Sequence, residues 1–272
     1  MTASEKPANH KLQPAQAEKH TKPSMEDAPK LPGVLFLLKE TGLIAWKYRL
    51  VVYGYTAWLI IPIVIYIIAQ EVPSPYGDGL LIMQNILGMV LSLWVTAAIM
   101  IYIAVEIAKE EHETINYTAL GKRAWNKVLN LFIIQTLMVS LIAIGTILFA
   151  IPGIVAWVWT AFAMQEGVLT NKGVVESFKH SRELAKGRFF AIFGRLLAFN
   201  LIIGLLAGLV FTGFVVAGLY GSAGDPLTSL YAWPTWMEIG FSLIILPFTP
   251  ISIIFNLCLY FAVKKSYSAA NV

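Results

Sequence analysis

The sequence predicts an all-α, polytopic integral membrane protein with six transmembrane helices and amphipathic interfacial helices on its cytoplasmic side. Three observations predict it. First, the 272 residues are 57% hydrophobic and only 13% charged, with a mean hydropathy of +0.69. An ordinary soluble domain carries about 25% charged and about 45–50% apolar residues. One globular core cannot hide that excess, whereas helices facing lipid on one side and each other on the other require it. Second, charged residues are missing from 50–70, 79–105, 128–165, 196–224 and 239–263. Third, all 20 Lys and Arg lie in four places: the N-terminal region through Arg49, 109–127, 172–195, and Lys264 with Lys265.

Residues 1–30 come first and hold almost no bulky apolar side chain. Such a segment buries too little surface to offset its ordering entropy, so a disordered cytoplasmic tail is expected. No basic n-region followed by a short apolar h-region is visible, so insertion is expected to fall to the first spanning helix. A membrane domain follows over 31–265, and 266–272 form a second cytoplasmic tail. A helix needs roughly 20 apolar residues to cross a hydrocarbon core of about 30 Å. The 128–165 stretch would run about 57 Å as one helix at 1.5 Å per residue. Pro152 and Gly153 interrupt it, one breaking a helix and the other permitting a tight reversal. Two spans are therefore predicted there, and the six lie at about 50–70, 80–106, 128–150, 153–168, 190–217 and 239–263.

The cations set the orientation. The connections around 71–78, 151–153 and 218–238 contain no Lys or Arg. Basic connections stay in the cytoplasm, so both termini belong there, which demands an even number of spans. A pI near 9.0 in a soluble chain would suggest nucleic acid. Here the cations instead flank spans and predict contact with anionic lipid at the inner face of the cell membrane, with no nucleic-acid partner. Tyr76, Tyr231, Trp233 and Trp236 in the outer loops are expected as interfacial anchors. A single cysteine, Cys258, excludes an internal disulfide and is expected to pack.

A unit recurs three times: a short amphipathic segment at 31–49, 114–127 or 173–188, then a hairpin of spans. Each segment is expected to lie in the membrane plane. In the third, Val174, Phe178, Ser181, Leu184 and Ala185 share one arc at 100° per residue, and Glu176, Lys179, His180, Glu183 and Lys186 the opposite one. Asn171 or Thr170 suits its start, and Gly187 its end.

Pro152-Gly153, Glu166-Gly167, Ser177, Ser181, Leu184 and Lys186-Gly187-Arg188-Phe189 fall within 114–213. This pattern resembles a widespread group of uncharacterised six-helix prokaryotic membrane proteins. The group is related to the membrane domain fused to some glycerophosphoryl diester phosphodiesterases. The resemblance covers about a third of the chain and implies the six-helix fold. The enzyme domain of those fusions, a soluble barrel with catalytic His and Glu, has no counterpart after residue 263, so phosphodiesterase activity is not implied.

Candidate sites are few. Glu166 closes the fourth span, while Arg188 and Arg195 lie two turns apart at the start of the fifth. A charge at the hydrocarbon edge is costly unless paired, so Glu166 is expected to pair with Arg195 or Arg188; the alternative is a hydrated Glu166 and an Arg195 that snorkels outward. Gln135, Asn200 and Asn256 are neutral polar groups within spans. They suit hydrogen bonds between helices or, alternatively, the lining of a polar path. Pro62, Pro247 and Pro250 are expected to kink their helices. Glu110-Glu111-His112-Glu113 lacks the spacing of HExxH. The run from Gly221 to Asp225 departs from the GxGD of intramembrane proteases and is expected to be a turn. Neither a nucleophile–base set nor a metal set emerges, and no cofactor is predicted. The functional expectation is a non-enzymatic membrane protein interacting with lipid or a partner membrane protein. A small-solute or lipid transporter is the alternative, and a membrane enzyme comes third.

Overall fold

The computed structural model describes residues 31–108, 117–221 and 235–269, with side chains at all of these except 217–221 and 235–238. Residues 1–30 and 270–272, the Glu110–Glu113 run, Tyr231, Trp233 and most of the Gly221–Asp225 run lie outside the described residues, as does the side chain of Trp236, while 266–269 of the expected C-terminal tail continue the last helix. Among the described residues every regular element is helical. In chain order these are α1 Val34–Lys47, α2 Arg49–Thr56, a 3₁₀ turn Ala57–Leu59, α3 Ile60–Glu71, α4 Tyr76–Ala108, α5 Tyr117–Trp125 and α6 Val128–Leu148. Then follow α7 Ala150–Thr160, α8 Ala163–Leu169, α9 Val174–Ala185, α10 Phe189–Gly221, α11 Thr235–Ile245 and α12 Phe248–Ala269.

Five stretches are long and apolar enough to cross a membrane: Arg49–Glu71, Tyr76–Ile107, Val128–Leu148, Phe189–Val216 and Ile239–Ala269. The segment expected as the fourth span, 153–168, is divided between α7 and α8 with a break at Ala161 and Phe162. The reversal before it also differs from expectation. The chain turns at Phe149, which is extended (φ −165°, ψ 148°), not at Pro152-Gly153. Pro152 sits in the first turn of α7, where a missing N–H costs nothing because first-turn amides have no intrahelical acceptor. Gly153 serves close packing instead: a Cβ there would lie 2.9 Å from the Thr146 backbone nitrogen.

Two of the three prolines mark interruptions as the sequence suggests, whereas Pro250 falls in the first turn of α12, where it needs no kink. Pro62 cannot donate to the carbonyl four residues earlier, at Trp58, and the chain tightens into the 3₁₀ turn Ala57–Leu59 at that point. Pro247 lies in the break between α11 and α12.

The core is centred on α4 and α12. Val95, Ala97, Ala98, Ile99 and Ile103 of α4 are buried, as are Ile254, Phe255, Leu257, Leu259 and Tyr260 of α12. α4 packs against α2, α3, α5, α6, α8 and α12, which explains why its inner half is buried nearly all round. α10 is the opposite case, since only 6% of its most apolar window is buried. Leu201, Leu205 and Leu209 project from it uncovered.

Short helices precede the long ones at α1, α5 and α9. α9 buries Ser177, Ser181, Leu184 and Ala185. Its expected N-terminal caps do not form. Gly173 occupies the N-cap position without a side-chain bond, Thr170 bonds Glu166 instead, and Asn171 takes φ 55°. Gly187 does stand just beyond the end, at φ 76°, a left-handed value that glycine adopts without a Cβ clash.

Candidate functional site: a buried carboxylate cluster

The break between α7 and α8 frees two backbone groups, and α9 satisfies both. Ser181 Oγ donates to the Trp159 carbonyl at 2.7 Å and accepts from the Phe162 N–H at 3.1 Å. Leaving either group unpaired inside the protein would cost about 1–3 kcal/mol. One hydroxyl thus fixes α9 across the break, and the Arg182 guanidinium covers the Trp159 ring at 4.5 Å. Gly167 permits α8 to press against α6, since a Cβ there would reach within 2.5 Å of Ile134 Cδ1.

This packing puts Glu166, wholly buried, at the meeting point of α8, α9 and α12. Tyr260 donates its hydroxyl to Oε1 at 2.8 Å. His180 Nδ1 lies 2.9 Å from the same oxygen, an ion-pair distance, but off the line of a ring N–H bond. Lys172 Nζ donates to Oε2 at 3.1 Å, and Thr170 Oγ1 lies 3.2 Å from it. Lys264 Nζ in turn donates to the Tyr260 hydroxyl at 3.1 Å. Each carboxylate oxygen therefore accepts one well-formed hydrogen bond, with His180 or Thr170 close beside it. The arrangement holds the 170–173 loop, α9 and α12 at fixed separation and leaves the carboxylate no open side toward a substrate.

The expected partners of Glu166 are elsewhere, and this corrects the sequence reading. Arg195 donates from Nε to the Pro32 carbonyl at 2.7 Å, from Nη2 to Leu31 at 2.6 Å and from Nη1 to Ala191 at 2.6 Å. It faces the start of α1, where carbonyls preceding the helix offer acceptors matched to its fork. Arg188 donates from Nη2 to the Ser266 carbonyl at 3.1 Å. That carbonyl belongs to the last turn of α12, where helix carbonyls lack intrahelical partners and the dipole is negative. Both arginines thus serve backbone ends, and Glu166 draws on Lys172 and His180.

Gln135, Asn200 and Asn256 do not assemble into a path. Asn200 Nδ2 returns to the Leu196 carbonyl at 2.7 Å and Asn256 Nδ2 to Ser252 at 2.8 Å, each within its own helix. Between α10 and α12 at this level, Phe199 stacks on Phe255 with ring centres 3.9 Å apart. Gln135 is exposed on α6, which packs on α4, α7, α8 and α9. Among the described residues, no three His, Cys, Asp or Glu converge on a possible metal position.

Lys172, His180, Tyr260 and Lys264 were not singled out by sequence as partners of Glu166. One signal was available: a tyrosine near a span's end carries a hydroxyl that needs a partner when buried. Comparison of the chain with protein-family models, curated proteins and solved structures finds no match.

Proposed function

We propose that this chain is a six-span protein of the cell membrane with both termini cytoplasmic, working without catalysis by engaging anionic lipid, or a partner membrane protein, at a basic inner face. The observation that carries the reading is the exposed surface of the three short helices. At α1 and its junction, Lys39, Lys47 and Arg49 stand beside exposed Leu43 and Trp46. On α5, Lys122 and Arg123 stand beside Tyr117 and Trp125, and on α9, Lys179 and Arg182 stand beside Val175. Cations next to uncovered apolar groups suit a headgroup boundary, where each Lys or Arg near an anionic surface is worth about 1 kcal/mol. The Arg49 guanidinium lies 4.7 Å from the centre of the Trp46 ring, a pairing that keeps the indole in the boundary and the charge in water.

In this reading α7 and α8 together form the fourth of the six spans. Residues 150–169 would reach about 30 Å at 1.5 Å per residue, which matches the hydrocarbon core. Each short helix then introduces one hairpin, giving three units of the same plan. The resemblance to the six-helix family belongs to this proposal. The residues that carry it, including Gly153, Gly167, Ser181, Leu184 and Gly187, do packing, bridging or turn work here, so the shared pattern specifies a scaffold and not a reaction. Transport is the second reading, favoured by the triple plan. Against it stands the dispersal of Gln135, Asn200 and Asn256.

The test is stabilisation by lipid. Thermal melting of the purified chain in neutral detergent is measured with added phosphatidylglycerol or phosphatidylcholine. The anionic lipid should raise the midpoint more, and Gln at Lys122, Arg123, Lys179 and Arg182 together should remove the difference. Equal responses to the two lipids would count against the proposal.

A further inference from the structure

A crevice of ≈ 600 Å³ lies between α2 with its 3₁₀ turn, α4 and α5. Its walls are largely apolar and aromatic: Leu50, Val51, Tyr55, Trp58, Trp94 and Tyr117 are among them. Trp94 meets Tyr55 edge-on at 5.3 Å and Trp58 at 5.8 Å. The polar ends of two of these rings are already used. Tyr55 donates its hydroxyl to the Tyr117 carbonyl at 3.1 Å, and Trp94 Nε1 donates to the Gly121 carbonyl at 3.0 Å. Those bonds tie α5 across the spanning helices and leave a lining that is mostly apolar.

Two further features say what the occupant is. Gly54 lines the crevice, and a Cβ built there meets nothing within 4 Å, so the space beside it is open. From Leu50 to Trp58 the wall runs about 12 Å along the chain at 1.5 Å per residue, room for part of an extended hydrocarbon chain. At its α5 side the exposed Lys122 follows Gly121 directly and shares a helix face with Thr118. Arg49 precedes Leu50 and is also exposed. An apolar slot on membrane-crossing helices, flanked along the chain by exposed cations next to its lining residues, is complementary to a lipid with one acyl chain inward and an anionic headgroup at the rim.

We propose that this crevice is a specific site for one acyl chain of an anionic phospholipid whose phosphate is met by Lys122. The site deepens the lipid-binding reading above and rests on it. Its occupancy would fix α5 against the first two spanning segments, making the short helix responsive to lipid charge.

The experiment places the full chain in lipid nanodiscs doped with phosphatidylglycerol, or phosphatidylcholine, bearing a photoreactive diazirine in its tail. After illumination, lipid adducts are mapped by mass spectrometry of peptides. Adducts of the anionic probe should concentrate on 50–58 and 117–121. Gly54→Leu, which fills the slot, should lower them about tenfold, the size of a lost contact worth one decade in affinity. Adducts on the lipid-exposed face of α10 should stay unchanged, which shows that the variant is inserted and folded. Lys122→Gln should cut the excess of anionic over neutral probe in the crevice about fivefold, as expected for one interfacial cation. Crevice adducts indifferent to both substitutions overturn the site. If the anionic probe is enriched on α1 and α9 but not in the crevice, the site fails while the broader lipid reading stands. If it is enriched nowhere, both fail.

Discussion

Glu166 shows how a single residue is committed by its surroundings. A carboxylate removed from water is tolerable only where charge and hydrogen bonds replace its hydration. Tyr260, Lys172, His180 and Thr170 supply these. Replacing Glu166 with Gln keeps the shape but removes the charge. The expected loss is about 2–3 kcal/mol, below the upper range for a buried pair because Lys172 is 30% exposed and can turn to water. Tyr260→Phe should cost about 1.5–3 kcal/mol, the worth of a hydrogen bond to a charged group. Denaturant unfolding in mixed micelles measures both. Wild-type stability in the Gln variant would show that the cluster is not holding α8, α9 and α12 together. The sequence flagged Glu166 and Arg195 correctly as charges needing partners. It did not reveal the partners, because Tyr260 lies 94 positions away from Glu166 and Pro32 lies 163 away from Arg195.

At the scale of elements, the α6–α7 hairpin depends on two glycines, whereas Gly194, Gly204, Gly208 and Gly213 of α10 face open space. A Cβ at Gly145 would lie 2.9 Å from the Gly153 nitrogen, and one at Gly153 would press on the Thr146 backbone. Backbone cannot step aside as a side-chain tip can. Gly153→Ala should therefore destabilise by about 1–3 kcal/mol, as overpacking does. Gly204→Ala and Gly208→Ala on α10 meet nothing within 4 Å and should leave stability unchanged or raise it by up to about 1 kcal/mol, since Ala favours the helix. Side-by-side melting of the three variants checks the contrast, and equal changes would mean that the hairpin is looser than described. Sequence located this hairpin but put its reversal at Pro152-Gly153. Both residues mark turns by propensity, yet each also has a role inside a helix: Pro in a first turn, and Gly at a close crossing. Only the neighbouring helix distinguishes these uses. The break between α7 and α8 was likewise hidden, since Ala161 and Phe162 are unremarkable in a helix. What stabilises the break is the Ser181 hydroxyl, supplied from a later element.

For the whole molecule, hydropathy and charge together make a topological prediction. With Cys258 replaced by Ser, a cysteine at Ser222 should react with an impermeant thiol reagent on intact cells. A cysteine at Ser268 should react only after the membrane is opened. Labelling of both positions on intact cells would mean that the last stretch does not bring the C-terminus back to the cytoplasm, and would overturn the six-span topology. The sequence alone determined that the chain is helical and that it contains stretches fit to cross a membrane. Those properties follow from composition and from the length of uncharged runs, which every residue in a run shares. Only the tertiary structure decided which charges meet, where the helices break and which glycines are indispensable. Each of those depends on a contact between distant parts of the chain, and such a contact leaves no periodic trace in the residues on either side of it.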